Sequence, residues 1–270
     1  RKDVKVCLTG DGGDEIFAGY KRYFQMPIER CFLSLPSPIR SLTKKFVSPM
    51  QSWQLNRAEH FNNNRGQYIH DHTTFFPSPI RDIIGNGQSI PDSIQAHSFT
   101  NFNGDPQTGS LIADLESYLP EDLLLLLDRS SMAASVEGRV PFLDHRLVEA
   151  ALAVPSKART PGEEPKGLER NIARRFLPEP ILKAPKQGFA SPVPKWMHAG
   201  LGKQAKRLLT SPTSLERGWW TRQGIETLLA NPYRHAFRVY SLIMLELAIR
   251  LFIEQPLSKT SPSTTLEEFC

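Results

Sequence analysis

Three acids and three glycines crowd into one short stretch near the start of the chain, Thr9-Gly10-Asp11-Gly12-Gly13-Asp14-Glu15. Glycines allow a backbone to approach a ligand closely, and acids at the same place suit a phosphate when Mg2+ lies between them. Magnesium uses one or two protein carboxylates together with phosphate oxygens and water, so Asp14 alone would suffice for a nucleotide-bound ion. A blander reading has Asp14 and Glu15 merely favouring the positive end of a helix. Far downstream, Lys186 stands in Pro185-Lys186-Gln187-Gly188-Phe189, a glycine-containing loop that could carry an ammonium to a phosphate or a developing oxyanion, or leave it solvated. Between them, Glu137, Arg139 and Asp144 flank Val140-Pro141-Phe142, where they either line a polar pocket or pair with neighbours; the residues alone favour pairing.

The elements that must position these groups follow from local pattern. Val4, Val6 and Leu8 predict a short buried strand that stops at the glycine turn. Ile16, Phe17, Tyr20, Tyr23 and Phe24 share one helical face, so a helix is expected from the turn until Pro27 interrupts it. From Pro36 to Gln107 the chain is rich in Pro, Ser, Asn and Gly, with short helices expected over Ile39 to Val47 and Ala58 to Asp71, and loops at Asn62 to Asn64 and Ser98 to Thr108. Leu123 to Leu127 should lie in a helix buried on most faces. Asp144 is an expected N-cap for a helix over His145 to Val154. Further helices fit Gly167 to Phe176, Pro192 to His198 and Tyr233 to Ile253, and the Ser/Thr-rich end from Leu257 reads as a frayed tail.

Composition bounds the class. The chain has 270 residues, 40% of them hydrophobic and 23% charged, enough to bury a core without disulfides or metal. Cys7, Cys31 and Cys270 form neither a zinc pattern nor a disulfide framework, which favours a reducing, cytoplasmic setting. Glu246 and Arg250 interrupt the apolar stretch Val239 to Ile253, so it reads as a buried helix and no membrane span is expected. A net charge of +5 is a mild excess unaccompanied by a nucleic-acid-binding motif. Without an initiator methionine or a signal-peptide core, Arg1 reads as the start of a piece cut from a longer protein.

Four motifs in order, Leu8 to Tyr20, Asp128-Arg129-Ser130-Ser131-Met132-Ala133, Glu137 to Asp144 and Lys186-Gln187-Gly188-Phe189, resemble the glutamine-hydrolysing asparagine synthetase family. The likeness runs from Val4 to about Ile253 and covers the later part of that family's C-terminal synthetase domain. It implies an α/β fold in the parent, an adenine nucleotide alpha hydrolase-like (Rossmann-like) parallel sheet, with this segment predominantly helical. Residues 1–255 would form the partial synthetase domain and 256–270 a disordered tail. The implied chemistry is attack of the aspartate side-chain carboxylate on the ATP α-phosphate, giving β-aspartyl-AMP and pyrophosphate, then displacement of AMP by ammonia from glutamine. ATP and Mg2+ are the implied cofactors. Thr9 and Gly10 match positions that contact the adenylate, Asp11 the acid associated with forming it, Asp14 the acid that coordinates Mg2+-pyrophosphate, and Lys186 the lysine that steadies transition-state charge. Glu15 and Arg139 match motif positions of pocket architecture.

The sequence departs from the family in ways that bear on these roles. The Ser-Gly-Gly-x-Asp-Ser pyrophosphate loop and the N-terminal glutaminase domain are missing from this chain. Leu126 stands where many relatives carry lysine, and Ala184 where arginine is frequent. The resemblance implies small-molecule substrates, neither nucleic acid nor membrane as partner, and admits a homodimer. A β-lactam synthetase or lasso-peptide cyclase would keep the adenylation and change the amine, and an interaction module would keep only the fold. Gly12-Gly13-Asp14-Glu15-Ile16-Phe17 also approaches the GGDEF signature of diguanylate cyclases. That enzyme sets its motif on a hairpin behind a substantial domain, whereas here the motif opens the chain and runs into a helical pattern.

Overall fold

Val6, Cys7 and Leu8 form strand β1 (Val6–Leu8), which pairs in parallel with β2 (Glu137–Arg139) in the register Val6 to Glu137, Cys7 to Gly138 and Leu8 to Arg139. The computed structural model describes residues 4–63, 68, 76–85, 104–184 and 191–254. These residues are mostly helical, with β1 and β2 as the one sheet among them, and divide into two compact units. The first takes in 4–63, 68 and 104–184, the second 76–85 and 191–254. The strand forms as expected but is not buried: Val4 is 54% and Leu8 72% exposed. Among the described residues both edges of this sheet are unpaired, and parallel sheets in proteins are normally covered on both faces.

In the first unit the helix after the glycine turn is one turn long, Gly13–Ile16, rather than running to Phe24. Ala18 enters the left-handed region (φ 57°), and the Gly19 N–H donates to the Asp14 carbonyl at 2.8 Å, closing the helix; Lys21–Tyr23 then forms a 3-10 turn. The apolar residues nevertheless go inside. Ile16 and Phe17 pack with Ala151, Phe142, Leu147 and Leu168, while Ala18 and Tyr23 pack with Leu111 and Leu152. Full burial of a side chain such as Ile16 is worth about 1.5–3 kcal/mol.

Three further helices, Pro27–Ser34, Ser37–Lys45 and Pro49–Asn63, follow in this unit, the first and last joined by a buried Glu29 to Arg57 ion pair at 2.9 Å. The third begins well before the expected Ala58, and its expected end at Asp71 lies outside the described residues. Asp105 caps the helix Pro106–Glu116 by accepting from the Thr108 N–H at 2.9 Å, so the expected loop ends there; 98–103 lie outside the described residues. The leucine run starts as a wide π-type turn, Leu119–Leu124, and continues as the helix Leu125–Ala133. No residue of that helix is buried, and Leu126 is 63% exposed, contrary to the expectation of burial on most faces. Its inner side packs on β2, with Leu127 against Gly138, and Leu125 and Leu126 on it are exposed. Asp144 caps His145–Ala153 as expected, accepting from the Arg146 N–H at 3.0 Å. Gly167–Ala173 forms a shorter helix than expected.

The second unit holds Ser78–Ile84, Val193–Trp196 and Gly202–Leu209, then Arg222–Leu229 and the long helix Ala236–Phe252. Glu246 on the long helix is buried and takes Arg217 at 3.1 Å and Arg250 at 2.6 Å, which explains how a charge interrupts an apolar helix without exposing it. Among the described residues no helix is long and apolar enough to cross a membrane. The expected tail lies outside the described residues.

Candidate active site

The carboxyl ends of the two strands bring the first and third motifs together. Beyond Leu8 the ladder continues by one bond, from the Thr9 N–H to the Arg139 carbonyl at 2.9 Å. The chain then turns through Gly10, Asp11 and Gly12 into the helix Gly13–Ile16. Gly12 is in the left-handed region (φ 87°), and a Cβ built there would lie 2.3 Å from a Leu143 methyl. Only glycine therefore fits where the acidic turn lies against Val140-Pro141-Phe142-Leu143. Phe17 meets Phe142 edge-on, with ring centroids 6.2 Å apart, and locks the same contact from beneath.

The expected site residues occupy distinct positions on this frame. The Thr9 hydroxyl is buried and has no hydrogen-bond partner among the described residues, and space is open beside Gly10, where a built Cβ would meet no described atom within 4 Å. Asp11 is half-buried in the turn. Asp14 points an oxygen at the Lys166 ammonium, 3.4 Å away, and Lys166 is also 3.4 Å from Glu169. Glu15 is buried and accepts a hydrogen bond from the Tyr20 hydroxyl at 2.7 Å; burial pushes its carboxyl above the usual range, and the Tyr20 bond opposes that shift. Arg139 joins the site through its carbonyl, while its exposed guanidinium pairs with Glu137 at 2.8 Å. Glu137 is held below the usual carboxylate range by that hydrogen bond. Asp144, also named from the sequence, spends its carboxylate on the helix cap and on Arg146 at 2.8 Å. Lys186 lies outside the described residues.

Sequence reasoning missed Lys166, whose ammonium lies beside Asp14. The only local signal is its position ahead of Gly167 at a helix start, where it adopts a left-handed backbone (φ 58°). It also missed Tyr20 as the partner of Glu15, and Arg22 and Asp114 behind them.

The donors present fit Mg2+ and a nucleotide. Among the described residues no three His, Cys, Asp or Glu side chains gather as a self-sufficient metal cage. A magnesium ion that completes its shell with phosphate oxygens and water does not need one, and Asp14 would hold it. The orphaned Thr9 hydroxyl, the open space at Gly10 and the Lys166 ammonium suit the oxygens of an anionic ligand.

A parallel strand pair with an acidic, glycine-lined turn at its carboxyl end is the arrangement of a ligand site in an α/β protein. The comparisons with known proteins specify which. The asparagine synthase family model matches residues 1–253, and the chain belongs to that family. A Mycobacterium tuberculosis protein named "Putative asparagine synthetase (glutamine-hydrolyzing)" is 30% identical over 74% of this chain and 32% of its own length. Asparagine synthetase (glutamine-hydrolyzing) 1 of Bacillus subtilis is 24% identical over 77% of this chain and 34% of its own length, and the enzyme numbered 3 from the same organism is 29% identical over 85% and 33%. The chain thus spans about a third of the length of these curated relatives. No solved structure matches it significantly.

Proposed function

We propose that the chain is the later part of the synthetase domain of an ATP-dependent asparagine-forming ligase, with residues 1–255 in the domain and 256–270 as a tail. The reaction is attack of the aspartate side-chain carboxylate on the α-phosphorus of ATP, breaking the bond to the bridging oxygen so that pyrophosphate leaves. Ammonia released from glutamine then attacks the β-aspartyl carbonyl, and AMP departs with the bonding pair. The Thr9 hydroxyl and the backbone at Gly10 bind the adenylate, and Asp11 takes part in forming it. Bound at Asp14, Mg2+ would neutralise charge on the pyrophosphate. Lys166 adds a positive charge beside the same oxygens, and Lys186 steadies the oxyanion of the amide-forming step.

The observation that carries this reading is the acidic turn at the paired strand ends, with its orphaned hydroxyl and a lysine on Asp14. The exposed faces of β1 and of the helix Leu125–Ala133 support a parent with a larger, Rossmann-like parallel sheet covering them. The enzyme works in the cytoplasm, and its supply of ammonia from a glutaminase domain accords with the glutamine-hydrolysing names of the relatives. The test is an assay of the full-length parent with ATP, Mg2+, aspartate and ammonia. AMP and asparagine should form in equal amounts, and Asp14→Asn should abolish the Mg2+-dependent step. Failure to form both products, or unchanged turnover in Asp14→Asn, overturns the proposal.

A further inference from the structure

Behind the acidic turn lies a buried cluster that the adenylation chemistry does not use. The Arg22 guanidinium is surrounded by three tyrosine rings, its carbon 4.2 Å from the centre of Tyr20, 4.8 Å from Tyr118 and 5.6 Å from Tyr23. Its Nε donates to Asp114 Oδ2 at 2.8 Å, and the Tyr23 hydroxyl donates to the same oxygen at 2.5 Å. Asp114 is fully buried on the helix Pro106–Glu116. Tyr20 is therefore gripped from one side by a fixed cation, and on the other its hydroxyl reaches Glu15, whose neighbour Asp14 faces Lys166.

We propose that Arg22 and Tyr20 are positioning residues for the acidic turn: Arg22, anchored on Asp114, fixes the Tyr20 ring, and Tyr20 holds Glu15 so that Asp14 stays aimed at its ligand. The inference rests on the adenylation reading of that turn and deepens it. The geometry specifies arginine. A guanidinium offers both a flat face for stacking on tyrosine and a fork for the carboxylate, whereas a lysine ammonium offers a point charge without the plane. The direction of action is fixed as well, because Arg22 is bound to the rigid helix bearing Asp114 and Tyr20 lies between it and the one-turn helix Gly13–Ile16.

The experiment compares the protein with Tyr20→Phe, Arg22→Lys and the double variant, using two independent readouts. The first needs no turnover: amide hydrogen exchange over residues 13–19. Tyr20→Phe removes the hydroxyl that holds Glu15, so exchange in the turn should speed up at least tenfold, with exchange in Ala236–Phe252 unchanged. Arg22→Lys should do the same, and the double variant should be no worse than the worse single one, since the two act in series. The second readout is AMP formation by the full-length parent, where kcat should fall about ten- to a hundredfold with little change in the KM for ATP. Wild-type-like exchange in both single variants overturns the proposal, as does an additive double variant. A wild-type parent that makes no AMP sinks the adenylation reading alone, and exchange still decides the positioning. If Arg22→Lys fails to fold, Tyr20→Phe decides by itself.

Discussion

A single added methyl group at Gly19 should test whether the Asp14 carboxylate is held where the site needs it. A Cβ built on Gly19 would fall 1.7 Å from Asp14 Oδ1 and 2.6 Å from its Cγ, while the Lys166 Cε lies 2.8 Å away. Gly19 is outside the left-handed region, so alanine carries no backbone penalty there, and the restricted unfolded chain would favour Gly19→Ala by about 0.4–1 kcal/mol. Against this stands the clash, which forces Asp14 from its rotamer and is expected to cost about 1–3 kcal/mol. The Asp14 to Lys166 pair, a quarter exposed on each side, contributes about 0–1 kcal/mol. Gly19→Ala should therefore destabilise the protein with Asp14 present, and become close to neutral in an Asp14→Ala background, where Oδ1 and Cγ are gone and only the flexible end of Lys166 has to move. Urea denaturation of the four proteins of the cycle measures the coupling, expected at about 1–3 kcal/mol. Equal costs in the two backgrounds, within about 0.5 kcal/mol, would show that the carboxylate does not occupy the space beside Gly19.

Other consequences are open to the same kind of measurement. Burial raises the Glu15 pKa, so above its unfolded value of 4.5 the folded state holds its proton more tightly than the unfolded chain and loses stability as pH rises through the folded pKa. Glu15→Gln should thus gain stability relative to the native protein between acidic and neutral pH, with the gain vanishing below 4.5; a gain that grows toward acid contradicts the sign. Glu246→Ala removes the buried carboxylate shared by Arg217 and Arg250, leaving Arg217 with Glu254 and Arg250 with Ser211 and Ser214, and should cost about 3 kcal/mol, read as a lower urea midpoint. Lys166→Met should change stability by less than about 1 kcal/mol yet weaken Mg-ATP binding, measured by titration calorimetry. Unaltered affinity would remove the lysine from the ligand site.

What the sequence made legible here was whatever a few neighbouring residues decide. Asp144 with the apolar spacing of Leu147, Val148 and Ala151 identifies a capped helix, and the structure has it within a residue of its expected end. The glycine-acid turn after an apolar triplet is legible for the same reason. The early end of the following helix is not, because it depends on Ala18 adopting a left-handed backbone that alanine avoids and glycine or asparagine would have announced. Periodicity gave the leucine helix its type but not its surroundings, since an apolar run looks the same whether its cover lies in this chain or elsewhere.

The site itself divides along the same line. Thr9, Gly10, Asp11, Asp14 and Glu15 are adjacent in sequence, so a resemblance can point to all of them together. Pairing of Thr9 with Arg139, of Asp14 with Lys166 and of Arg22 with Asp114 joins segments far apart in the chain, and no local pattern encodes those distances. Yet these long-range contacts give the short motif its chemistry. In water the three acids would repel one another and a phosphate alike. On the strand ends Glu15 is drawn inside and tied to Tyr20, Asp14 is left facing a cation, and the Thr9 hydroxyl is left without a partner among the described residues. The fold thus separates two neighbouring carboxylates into one that anchors the turn and one that is presented to a ligand, a division of roles that their side-chain types alone do not contain.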